Sequence, residues 1–127
     1  MSVLPAAVSA ITLFVDDLDE AKRFYAEVLE FPIHFEDADS AVFAFAATLI
    51  NLLHAPAAEE LVTPLPVGAH GTAPRMQFTI TVDDVDASCA RLTERGVTLL
   101  NGPIDRPWGI RTAAFVDPDG HVWEIAR

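Results

Sequence analysis

A chain of 127 residues with 51% apolar side chains and mean hydropathy +0.30 is long enough to bury one core without disulfides and too apolar for disorder. Nineteen Asp and Glu against eight Lys and Arg leave a net charge of −11, which excludes the basic face that phosphate-backbone binding needs. The longest apolar run, near Ala41 to Ala47, is far too short to span a bilayer, and Cys89 alone makes neither an intrachain disulfide nor a cysteine metal cluster.

The opening MSVLPAAVSA has no basic segment followed by a long apolar core, so no secretory signal and a cytoplasmic location are expected. The alternation of AITLFV predicts a strand with Ile11, Leu13 and Val15 on one face and Ala10, Thr12 and Phe14 on the other. Asp17 then opens an amphipathic helix whose apolar stripe is Leu18, Ala21, Phe24, Tyr25, Val28 and Leu29. Asp17 and Glu20 have the spacing of a capping box, and Pro32 stops the helix. Three short strands are expected next, at Ile33 to Glu36, Ala41 to Ala47 and Leu49 to His54.

Residues 55–74, APAAEELVTPLPVGAHGTAP, hold four prolines and two glycines with no sustained period, and read as a connector. Beyond the connector the pattern of the first half recurs. Val15-Asp16-Asp17-Leu18-Asp19 returns as Val82-Asp83-Asp84-Val85-Asp86, again at the end of an alternating strand and the start of a helical pattern. The second copy predicts a strand from Met76 to Val82 and a helix from Val85 to Arg95, stopped by Gly96. Strands near Thr98 to Leu100, Thr112 to Val116 and Val122 to Ala126 complete it. Two βαβββ modules are therefore expected, at about 8–54 and about 75–127, in one α+β domain of residues 1–127.

Two segments, FVDDLDEAKRFYAEVLEF (Phe14 to Phe31) and RPWGIRTAAFVDPDGHVWEI (Arg106 to Ile125), resemble the vicinal oxygen chelate superfamily. That group includes glyoxalase I, extradiol dioxygenases and bleomycin-resistance proteins, and this chain resembles the bleomycin-resistance-like branch most. The resemblance implies that the two modules curl into a half-open sheet barrel around a cavity, and that a homodimer completes the sites. Glu30 stands where the family usually has glycine, so a positive φ and modest strain are implied there.

The resemblance also implies where enzymes of the family hold a divalent metal, and those positions fall here on Ala10, Asn51, Gln77 and Glu124. Alanine has no donor atom, and amides are weak neutral donors, which leaves Glu124 as the one strong ligand. The histidines do not fill the gap. His34 reads as a rim residue, His54 and His121 have opposite parity to Asn51 and Glu124, and His70 lies in the connector. Cys89 has no paired base to make it a nucleophile.

Parity places Thr12, Phe14, Leu49, Asn51, Leu53, Gln77, Thr79 and Glu124 on a largely apolar inner face, with Trp123 packed beneath the helices. Glu124 would there be hydrogen-bonded to Gln77, Asn51 or a ligand cation. Trp108 and Arg111 of PWGIR are expected near the pocket mouth, where Trp108 stacks on a ligand or anchors a dimer contact. Phe43 and Phe45 share a face and would extend an aromatic wall if they point inward.

These residues fit three functions. The first is a homodimeric, metal-free binding protein for a small aromatic or cationic molecule, its ligand held by Thr12, Phe14, Asn51, Leu53, Gln77, Thr79, Trp108, Arg111 and Glu124. The second is a glyoxalase I-type lyase or isomerase with Ni, Zn, Mn or Fe on Asn51, Gln77 and Glu124. An extradiol dioxygenase ranks last, because a two-His-one-carboxylate triad is absent from the implied positions.

Overall fold

The computed structural model describes residues 4–127, and it divides into two compact units, Met1–Gly68 and Ala69–Arg127. In the first, β1 (Ala10–Val15) leads through α1 (Leu18–Arg23) to β2 (Ile33–Glu36), β3 (Ser40–Phe45) and β4 (Thr48–His54). The sheet order is β1-β4-β3-β2, with β1 parallel to β4 and the other pairs antiparallel. Asp17 caps α1 by accepting the Glu20 backbone N–H at 3.0 Å, as its spacing predicts. The helix continues as a π-helical segment, Phe24–Val28, closed by the Leu29 N–H on the Phe24 carbonyl at 3.0 Å.

Leu13, Val15, Ile50, Leu52, Ala41 and Phe43 form the buried side of this sheet, with Ala21 and Tyr25 from the helical segment in the same core. Register fixes the side taken by the two phenylalanines of β3, which the sequence leaves open. Phe43 pairs with Ile50 and Phe45 with Thr48, so both rings lie on the helix side and not on the face of Asn51. Phe43 packs 5.8 Å from Tyr25, and Phe45 meets Phe31 edge-on at 4.6 Å.

Glu30 has φ of 61°, the left-handed conformation that its place in VLEF implies. Restoring glycine removes a strain of about 1–2 kcal/mol and returns part of it as unfolded-chain entropy. Glu30→Gly should therefore raise the stability measured by urea unfolding by about 0.5–1 kcal/mol. An unchanged or lower midpoint would show that the Glu30 side chain compensates for its backbone.

The connector is not structureless: Ala55–Val62 forms α2. Pro56 falls in its first turn, where no intrahelical N–H is required, and Ala58 is buried. In the second unit β5 (Gln77–Thr81) leads through α3 (Val85–Glu94) to β6 (Leu99–Asp105), β7 (Arg111–Val116) and β8 (Val122–Ala126), in the order β5-β8-β7-β6. Asp84 caps α3 as Asp17 caps α1, accepting the Ala87 N–H at 3.0 Å. The βαβββ repeat is present in both units. Strand β6 runs past the expected Leu100 to Asp105, through two irregularities in its pairing with β7.

Trp123 is 2% exposed and packs 4.8 Å from Phe78, so it is core as expected. The Asp117-Pro118-Asp119-Gly120 turn joins β7 to β8, with Gly120 at φ 91°. Asp117 is buried, and its carboxylate accepts the backbone N–H groups of Asp119 at 3.0 Å and His121 at 2.8 Å. It also meets His121 Nδ1 at 2.7 Å, so His121 is a half-buried partner of the turn and not the exposed residue its parity suggests.

Candidate functional site

On the first unit, cross-strand register sets Ala10 opposite Leu49, Thr12 opposite Asn51 and Phe14 opposite Leu53. Strand β3 adds Val42 beside Asn51 and Ala44 beside Leu49. The face is largely apolar, with Ser40 opposite Leu53 at one end and a polar couple in its middle: Asn51 Nδ2 donates to Thr12 Oγ1 at 3.5 Å. Asn51 Oδ1 is buried with no hydrogen-bond partner, a cost that structures normally avoid. His54 pairs with Val15 and so lies on the other face, as its parity requires.

On the second unit Thr79 lies opposite Glu124, and its hydroxyl donates to Glu124 Oε1 at 3.0 Å. Thr79 thus takes the place expected of Gln77 or Asn51. Gln77 is opposite Val122, two residues along the same strand face from Thr79. Ala114 and Thr112 extend this face across β7. Trp108 is 68% exposed in the turn after β6.

Arg111 does not stand beside it on this face. It alternates with Thr112 onto the helix side, where Nη2 and Nε reach the Asp86 carboxylate at 2.9 and 3.1 Å and Nη1 reaches Asp105 at 3.0 Å. Hydrogen bonds donated to Asp86 and Asp105 hold its guanidinium firmly charged, and the one from Arg111 pulls the Asp86 carboxyl below its usual range.

The arginine on the Glu124 face is Arg106, which lies two residues before Trp108 and just outside the PWGIR motif. Its Nε donates to Thr112 Oγ1 at 2.9 Å and its Nη2 to Asn101 Oδ1 at 3.3 Å, with Cζ 5.9 Å from the Trp108 ring centroid. Alternation along β7 carries part of the signal, since it puts Arg111 on the face opposite Thr112 and Ala114, but it says nothing of Arg106 in the preceding turn. Of the other groups considered, His34 is exposed, His70 Nδ1 lies 3.5 Å from Asp119 Oδ1, and Cys89 is buried with its thiol pKa raised, chiefly by burial.

Residues 7–125 match the model of the Glyoxalase/Bleomycin resistance protein/Dioxygenase superfamily. The chain belongs to that superfamily. It is 34% identical over 121 residues to the uncharacterized protein YraH of Bacillus subtilis (strain 168), covering 92% of this chain and 94% of YraH. Among solved structures it resembles TnmS3, an antibiotic binding protein from Streptomyces sp. CB03234, with 31% identity, a TM-score of 0.73, and 98% and 97% of the two chains covered. It also resembles lactoylglutathione lyase from Agrobacterium tumefaciens, with a TM-score of 0.76 over 96% and 93% of the chains, but 22% identity makes that a likeness of fold. The α+β class and the paired βαβββ modules are thereby those of the glyoxalase fold.

Members of this superfamily often depend on a divalent metal, and the donor chemistry at the implied positions decides whether one fits here. A catalytic divalent site takes about three protein donors, with imidazole or carboxylate among them. The implied positions offer a methyl group at Ala10, amides at Asn51 and Gln77, and one carboxylate, whose Oε1 is engaged by Thr79. This donor set does not fit a catalytic metal. Among the described residues, no helix is long and apolar enough to cross a membrane.

Proposed function

We propose that this protein binds a small aromatic or cationic molecule without a metal, in resistance or sequestration, on the face of the second unit that carries Glu124. The observation that carries the reading is the donor set itself. Where metal-dependent relatives need several charged or imidazole ligands, this chain keeps Glu124 alone and gives it a hydroxyl partner. The 31% identity to an antibiotic binding protein supports the same reading. Gln77, Thr79, Glu124 and Trp108 on the second unit are the proposed contacts, and Thr12, Phe14, Asn51 and Leu53 line the equivalent face of the first. Arg111 is left out because two carboxylates already engage it.

Trp108 makes the test direct, since the other tryptophan, Trp123, is buried and supplies a constant background. Titration with a panel of planar aromatic antibiotics and aromatic amines should give saturable quenching by at least one member, and Trp108→Phe should abolish it. That ligand, at 100 times its Kd, should stabilise the fold by about 2.7 kcal/mol. Ni²⁺, Zn²⁺, Mn²⁺ and Fe²⁺ should leave Tm unchanged. A metal-induced rise in Tm that Glu124→Gln removes would replace this reading with the lyase or isomerase one.

A further inference from the structure

Two arginines of the second unit flank the Trp108 turn, and their surroundings differ in kind. Arg111 is saturated by carboxylates on the helix side of the sheet. Arg106 has only neutral partners: the hydroxyl of Thr112 and the side-chain oxygen of Asn101. Among the described residues no carboxylate lies within ion-pairing distance of it, although the chain carries nineteen Asp and Glu.

A fully solvated guanidinium without an ion pair would mean little, because surface pairs contribute little. Arg106 is instead half-buried, anchored on a fully buried threonine and backed by an indole. The indole favours the cation but supplies no acceptor in the guanidinium plane. Of the five N–H donors of the group, Nε and one on Nη2 are used, so the Nη1 edge is fixed in direction and uncommitted. Glu124 lies on the same sheet face but accepts its hydrogen bond from Thr79, not from Arg106.

We infer that Arg106 reads an acidic oxygen on the ligand, so that the molecule bound is aromatic and carries a carboxylate or phenolate. The inference rests on the proposed small-molecule reading and adds the chemical class. Guanidinium binds such oxygens through charge-assisted, often paired hydrogen bonds, which a neutral isostere cannot reproduce. Glu124 would repel the acid and so orient it toward Arg106.

The probes are 2-naphthoate and its neutral analogue 2-naphthamide, followed by Trp108 quenching in wild type, Arg106→Gln and Arg106→Lys. Wild type should bind the acid roughly tenfold or more tightly than the amide. Arg106→Gln should erase that preference by weakening the acid alone, and Arg106→Lys should restore part of it with a steeper salt dependence. Arg106→Lys also carries the test if Arg106→Gln does not fold. Binding of both probes without preference, or a preference that survives in the folded variants, overturns this inference and leaves the small-molecule reading intact. Quenching by neither probe, nor by any member of the antibiotic and amine panel, overturns both.

Discussion

Gly102→Ala should be among the most damaging single substitutions in this chain, costing about 3–5 kcal/mol. A Cβ at this position would lie 2.4 Å from the Thr112 carbonyl oxygen, 2.7 Å from Ala113 Cα and 3.0 Å from Ala113 Cβ. Two of these atoms are backbone, so no side-chain rotation relieves the clash. Gly102 also has φ of 84°, which alone costs an alanine about 1–2 kcal/mol. Gly109 separates the two contributions, because it has φ of 97° but open space where a Cβ would go. Gly109→Ala should cost about 1–2 kcal/mol, the conformational part alone. Urea unfolding followed by circular dichroism compares them, and equal losses would show that β6 moves aside at no cost. The clash matters to the site as well. Gly102 presses on the residue that anchors Arg106, so a surviving Gly102→Ala protein should bind an acidic probe more weakly than wild type.

Much of this architecture is legible in a few residues. The paired Val-Asp-Asp segments announce two capped helices because an aspartate side chain satisfies the N–H groups that a helix start leaves open. Alternation places Thr12 with Asn51 and Thr79 with Glu124 because one-residue slips would exchange the faces of a sheet. The same rule is mute for Phe43 and Phe45, where both faces of β3 are apolar and hydrophobicity cannot tell core from cavity. Only the register opposite Ile50 and Thr48 decides their side. Helix α2 is hidden in a proline-rich stretch that reads as broken chain, although a proline in the first turn removes no hydrogen bond. The exchange of Arg111 for Arg106 has a similar origin. The PWGIR motif draws attention to Arg111, although Arg106 is nearer to Trp108 in sequence, and the pairing of Arg111 with Asp86 and Asp105 shows only in three dimensions.

At His121 turn geometry overrides strand parity, and the same geometry predicts a pH-dependent stability. Asp117→Asn should cost about 3 kcal/mol or more, because it removes the charge from a buried acceptor of two backbone N–H groups and an imidazole. His121→Gln should cost less, since both backbone bonds to Asp117 remain. Its cost should also depend on pH in one direction. Burial disfavours the imidazolium, but the hydrogen bond and charge of Asp117, with the charge of Asp119, outweigh it and raise the His121 pKa. A histidine raised above its unfolded value of about 6.5 contributes fully below that pH and loses the contribution as pH climbs through the folded pKa. The stability gap between wild type and His121→Gln should therefore be widest near about pH 6 and close at alkaline pH, in urea unfolding at matched ionic strength. A gap that widened with pH would mean that Asp117 holds a neutral imidazole, with Nδ1–H as a plain donor. The turn would then depend on hydrogen bonding alone. In the charged case, the turn that starts β8, and with it the strand that carries Glu124, is strengthened by acid.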